Sequence, residues 1–115
     1  HPSRENPHQV LGLGRELGFP TLNVRVPRPK LLPPAGSYAA VTMLEGRRLP
    51  AAVFVPRHGQ PFYEAHLPGW SGEIYGEAVC TEFVQRLRAP EDLDGRALAD
   101  RIAEDVKQVM EVMGE

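Results

Sequence analysis

One cysteine, Cys80, stands among 115 residues, and without a second thiol there is neither a disulfide framework nor a multi-cysteine metal site. That usage fits a reducing compartment, so a cytoplasmic location is expected. Also missing is any apolar run near the roughly 20 residues that span a bilayer, and the opening segment HPSRENPHQV has no apolar signal-peptide core. No membrane partner is expected. Charge of one sign is scarce as well: 13 Lys and Arg face 15 Asp and Glu, a formal net charge of −2. With no basic excess and no Lys/Arg run, no nucleic-acid partner is expected. The glycines of the first twenty residues are not followed by Gly-Lys-Ser/Thr, which excludes a P-loop.

Glycine and proline, by contrast, are plentiful: 11 and 12 residues, concentrated in the first three quarters of the chain. They cut it into short pieces, the punctuation of an all-β domain rather than of a helical bundle. Hydrophobic residues make up 42% and charged residues 24%, as in ordinary globular proteins. The length gives room for one domain over residues 1–115, with little structural weight on residues 1–9.

Strand candidates follow in order. TLNVRV (Thr21 to Val26) alternates, with Leu22, Val24 and Val26 on one face. The stretch before it, RENPHQVLGLGR, has no convincing strand pattern, and PRPKLLPPAG is a proline-rich connection. SYAAVTML (Ser37 to Leu44) and LPAAVFV (Leu49 to Val55) read as a hairpin around the turn EGRR. FYEAHL places Tyr63, Ala65 and Leu67 on one face and Phe62, Glu64 and His66 on the other, and YGEAVCTEFVQRL (Tyr75 to Leu87) is a longer strand. From Ala97 the period changes: Leu98, Ile102, Val106, Val109 and Met113 recur at steps of three and four, an amphipathic helix with Asp94 at the N-cap position. Asp100, Asp105, Lys107 and Glu111 are assigned to its polar face. About five strands closed by one helix imply a small barrel or a strongly curled sheet.

Chemistry concentrates in LGRELGFPTLNV. Its glycines allow close backbone approach to an anion, and Thr21 and Asn23 share a face and offer neutral oxygens of the kind that hold Mg²⁺ together with phosphates. A punctuated turn with local hydrogen bonds accounts for the same residues. Glu64 is either a wet strand residue or, in a cavity, a proton acceptor. His66 reads as a strand-surface histidine, and Cys80 as a small core residue. Trp70 and Tyr75 suit either a stacking platform or a plug under a loop.

Taken together these segments resemble the riboflavin kinase (flavokinase) family. GRELGFPTLNV is similar to its Gly-Arg-x-Leu-Gly-x-Pro-Thr-x-Asn signature, and LLPPAGSYAA to its Leu-Pro-x-x-Gly-x-Tyr segment. YEAHLPGWSGEIYGE resembles its Glu-x-His run and the tyrosine-glycine stretch after it. FVQRLRAPEDLDG resembles the run before its terminal helix. The likeness, over about residues 12 to 110, is to the C-terminal kinase domain of bacterial bifunctional riboflavin kinase/FAD synthetases. It implies a mainly β fold, a small antiparallel Greek-key barrel of about six strands with a C-terminal helix. It also implies transfer of the ATP γ-phosphate to riboflavin, giving FMN and ADP with Mg²⁺.

Carried over, Gly12, Gly14, Arg15, Gly18 and Pro20 belong to the nucleotide loop, and Thr21 and Asn23 bind the metal and the phosphates. Glu64 is the catalytic base, and Tyr75 and Arg88 lie by the flavin. Val10 and Leu11 stand where the family has Gly-Asp, and VFVPRH (Val53 to His58) where it has Asn-Ile-Gly-Thr-Arg-Pro. These departures leave open an alternative, a degenerate domain that binds flavin or nucleotide with little or no turnover. A partner chain or a second copy completing the sheet is compatible with the sequence.

Overall fold

Strand alternation sorts the side chains of this chain into an inner and an outer set, and a closed sheet separates the two. The computed structural model describes residues 8–16, 19–26, 32–57, 60–68 and 78–113. Its elements run β1 (His8–Glu16), β2 (Phe19–Arg25), β3 (Gly36–Leu44), β4 (Arg47–Val55), β5 (Phe62–His66), β6 (Ala78–Arg88) and helix α1 (Gly95–Val112). All pairings are antiparallel, in the closed order β1–β2–β5–β4–β3–β6. The closing seam is short, with His8 opposite Val79 and Gln9 opposite Ala78. Strands β3, β4 and β5 form a meander. β2 lies beside its last strand and β6 beside its first, giving two Greek keys that share the meander. The expected architecture is the one observed.

The inner set includes Leu22, Val24, Tyr38, Val53, Tyr63 and Ala65, all buried. Two hydroxyl-bearing side chains of this interior are satisfied internally, as buried polar groups must be. Tyr63 donates to Thr81 Oγ1 at 2.6 Å, and Thr81 Oγ1 lies 3.1 Å from Thr42 Oγ1. Burial pushes the Tyr63 phenol well above its ordinary range, so it stays an uncharged donor. Phe83 meets Tyr38 and Tyr63 edge-on, with centroids 5.3 and 6.0 Å apart.

A second, smaller core lies outside the barrel. Ala39 and Ala52 present a flat patch on β3 and β4, and Ile102, Val106 and Val109 of α1 pack on it. Among the described residues no helix is long and apolar enough to cross a membrane.

The structure departs from the sequence reading in several places. The segment thought to lack a strand forms the nine-residue β1, including His8 and Gln9. Its glycines carry no side chains to alternate, and its register slips between Val10 and Gly12, so the pattern was invisible although β1 pairs with β2 along most of its length. The β3–β4 turn is only Glu45 and Gly46, both at positive φ (51° and 78°), so Arg47 and Arg48 belong to β4. Asp94 takes the N-cap position without a side-chain cap bond, its carbonyl accepting from the Leu98 N–H at 3.2 Å. Cys80, expected in the core, is half-buried.

Gly36 opens β3 at φ 148°, and a Cβ there would lie 2.5 Å from the Arg88 carbonyl oxygen. Backbone cannot retreat as a flexible side chain does. Gly36→Ala is expected to cost about 2 kcal/mol or more in urea unfolding. An unchanged midpoint would show that the β3–β6 junction has slack.

Candidate active site

Register brings the polar residues of β2 and β5 together. Gly14, Thr21, His66 and Ala52 form one row across β1, β2, β5 and β4, and Gly12, Asn23, Glu64 and Phe54 form another. Between the rows Leu22, Ala65 and Val53 point into the core, so alternation sets both rows on the outer face. A glycine stands at the β1 end of each row, opposite Thr21 and Asn23.

Within the first row Thr21 is fully buried, and its Oγ1 lies 2.9 Å from His66 Nδ1. His66 is 3% exposed, not the surface histidine its strand position implied. Burial pushes its imidazole down to about 4, which keeps the ring neutral at physiological pH. In the second row Asn23 and Glu64, directly opposite each other, are both half-buried.

Beside Glu64 and His66 a cavity of about 250 Å³ opens between the sheet and α1. Phe54, Glu64 and His66 line its sheet side, and Leu98, Arg101, Ile102 and Asp105 its helix side. Glu91 and Leu93 come from the connector between β6 and α1. Two arginines fasten that connector. Arg101 Nε sits 2.7 Å from Glu91 Oε1, and Arg57 Nη1 donates to Asp92 Oδ1 at 2.6 Å and Nη2 to the Pro90 carbonyl at 3.3 Å.

Asp105 corrects the helix reading. At 3.6 residues per turn it lies about 60° from Ile102, on the edge of the packed face, and it is buried rather than solvated. Arg88 grips it through Nε at 3.0 Å and also through Nη2, which reaches Gln108 Oε1 at 2.5 Å. Burial raises the Asp105 carboxyl above its usual range, with Arg88 and Ser37 pulling the other way.

The structure therefore brings Thr21, Asn23 and Glu64 together. Gly12, Gly14 and Arg15 lie in β1, paired with Asn23, Thr21 and Pro20, rather than in a loop. Gly18 and Tyr75 fall outside the described residues. Arg88 stands behind the cavity wall, acting on it through Asp105. Sequence reasoning missed His66, Asp105, Arg101 and the connector. An aspartate at the rim of an apolar helical stripe was the available signal for one of them. Among the described residues no group of three or more His, Cys, Asp or Glu is arranged to hold a metal. Thr21 and Asn23 with the nearby Glu64 are hard oxygen donors, too few for a protein-only cage but suited to Mg²⁺ shared with phosphates.

Comparison with known proteins gives a consistent picture. The family model described as "Flavokinase: Riboflavin kinase" matches residues 8–113. A bifunctional riboflavin kinase/FMN adenylyltransferase of Bacillus subtilis is 28% identical over 106 residues, covering 84% of this chain and 34% of that protein. Its namesake from Mycoplasma pneumoniae is 33% identical over 97 residues, covering 82% and 36%. The chain thus spans about a third of the length of these curated relatives. A crystal structure titled as a macrolide-efflux protein from Streptococcus pneumoniae superposes with a TM-score of 0.72 at 20% identity, over 90% of this chain and 36% of that one. At that identity it shows the fold alone.

The neutral His66 ties stability to pH. Its folded value, about 4, lies below the ordinary 6.5, so between these values the unfolded chain binds more protons and stability falls on acidification. The loss attributable to this ring between pH 6.5 and 4 is on the order of 3 kcal/mol. Asp105, raised on folding, works in the opposite sense. Urea unfolding of wild type and His66→Asn across that range is expected to give a flatter profile for the variant. Parallel profiles would refute the assignment.

Proposed function

The chain belongs to the riboflavin kinase family, and from that membership we propose that it transfers the γ-phosphate of ATP to the 5′-hydroxyl of riboflavin, giving FMN and ADP. The observation that carries this reading is the register of β2 on β5. It sets Asn23 against Glu64 and Thr21 against His66 on one face, with Glu64 and His66 lining a cavity that also has apolar residues from the connector and α1.

In this reading the flavin ring lies against Leu93, Leu98 and Ile102, and its ribityl chain runs toward Glu64. Glu64 accepts the proton of the 5′-hydroxyl as that oxygen forms its bond to the γ-phosphorus. The bond from the γ-phosphorus to the β,γ-bridging oxygen breaks, and ADP leaves. Mg²⁺, when bound, neutralises phosphate charge. Thr21 and Asn23 would hold it together with the nucleotide, and Gly12 and Gly14 would let the phosphates approach the β1 backbone. Arg15, Gly18 and Pro20 complete the nucleotide side. The family resemblance assigns Tyr75 to the flavin side, and Arg88 keeps Asp105 and the cavity wall in place.

A second reading, binding of flavin or nucleotide without turnover, is favoured by β4. There Val53 and Val55 are buried in the barrel core and Phe54 faces the cavity, where the family's segment supplies Asn-Ile-Gly.

Purified protein with riboflavin, ATP and Mg²⁺ is expected to form FMN. Glu64→Gln is expected to lower kcat about 100-fold or more, with KM for riboflavin changed only a few-fold. Wild-type turnover by Glu64→Gln would remove the base assignment. Quenching of flavin fluorescence with no FMN formed would select the second reading.

A further inference from the structure

We propose that Phe54 is a specificity-determining residue: it is the sheet-side wall on which a flat ring of the acceptor stacks, so that the acceptor is chosen by its ring rather than by its hydroxyl chain. The inference deepens the function proposed above and rests on it for the identity of the ring. A carboxylate base accepts a proton from any primary hydroxyl held against it. Glu64 alone therefore does not distinguish one acceptor from another. The choice falls to whatever lies beside it.

Register sets Phe54 there. Across the sheet one row runs Asn23, Glu64, Phe54 and Ser37, on β2, β5, β4 and β3. Directly opposed side chains of neighbouring strands stand about 5 Å apart at their Cβ atoms, so Phe54 adjoins Glu64 on the side away from Asn23. Glu64, Phe54 and Ser37 all line the cavity. An acceptor that reaches Glu64 from the cavity therefore lies over Phe54. The phenyl ring is half-buried, and among the described residues neither hydrophobic core includes it. The same is true of Leu93 and Leu98, which line the cavity from the connector and the helix, Leu98 being 36% exposed. Apolar side chains outside both cores and gathered around one cavity leave area for a ligand to cover. Charged groups on the connector and helix side are matched with each other or with β6, Arg101 with Glu91 and Asp105 with Arg88. The space over Phe54 thus suits an uncharged group. Among uncharged groups a planar ring covers the phenyl face fully, whereas a polyol chain would give up water there and gain no hydrogen bond from it.

Calorimetry tests this with three probes: riboflavin, lumiflavin (the same ring with a methyl group in place of the chain) and ribitol (the chain without the ring). The wild type is expected to bind lumiflavin within about tenfold of riboflavin and ribitol not measurably. Phe54→Leu keeps an apolar side chain but removes the aromatic face, and is expected to weaken both ring ligands about three- to tenfold. Phe54→Tyr restores the face and is expected to stay within about twofold of wild type. Urea midpoints of both variants are expected to match the wild type, which separates a lost wall from a loosened fold. Unchanged ring affinity in Phe54→Leu, an equal loss in Phe54→Tyr, or ribitol bound as tightly as lumiflavin overturns the proposal, and FMN formation by the wild type then leaves the kinase reading standing. Ring binding that depends on Phe54 with no FMN formed upholds the proposal and removes the turnover reading. Failure of the wild type to bind either ring ligand overturns both. The comparison of lumiflavin with ribitol needs no variant, so a leucine protein that fails to fold leaves the test of ring selection intact.

Discussion

The pairing of β2 with β5 is the constraint on which both the core and the site depend. Leu22 and Val24 on one strand and Tyr63 and Ala65 on the other must all face the interior, where each is wholly buried. That requirement fixes the register, and the alternate residues follow: Thr21 meets His66, and Asn23 meets Glu64. A slip of one residue on either strand would turn its apolar set outward and break the polar row at the same time. The same hydrophobic free energy that closes the barrel therefore aligns the polar face, with no separate device needed to do so.

An outer barrel face is ordinarily wet, and this one becomes a site because α1 covers part of it. Ala39 and Ala52 are small enough for the helix to lie close, and Ile102, Val106 and Val109 fill the contact. The helix is also held by charge. Arg88, the last residue of β6, binds Asp105 and Gln108 about three to four turns along α1. Desolvation opposes such a pair, so its net contribution to stability is modest, while losing either partner would strand a buried charge. The Arg88 contact therefore specifies where the helix sits more than how tightly. Arg57, just past β4, and Arg101 of α1 do the same for the connector, so that the cavity has walls from β4, β5, α1 and the segment between β6 and α1.

Most of this fold was legible in the sequence wherever side chains alternate or recur at helical spacing. β2, β3, β4, β5, β6 and α1 all appear close to their expected places. β1 was not, because a strand with glycines at positions 12 and 14 displays no alternation, and its pairing is dictated by neighbours distant in sequence. The motif resemblance named Thr21, Asn23 and Glu64 as a set. It could not give the burial of His66 or Asp105, because burial depends on where the helix lands, a tertiary fact that a strand pattern does not carry. Asp105 shows the limit well. The helical wheel sets it at the rim of the apolar stripe, and only the presence of Arg88 beneath makes that rim a buried position.

His66 and Glu64 make the same point at the scale of the site. They sit two residues apart on the outer face of one strand, so backbone geometry treats them alike. Their rows differ. The His66 row continues into Ala52 and Ala39, under the helix, while the Glu64 row continues into Phe54, half-buried at the edge of that cover. The boundary of the helix footprint thus runs between them. On the covered side a neutral imidazole and a buried hydroxyl form a dry hydrogen bond whose direction can be fixed. On the open side a carboxylate keeps access to solvent and to whatever enters the cavity. One strand supplies a rigid support and a reactive group because the cover over it ends between two alternate residues.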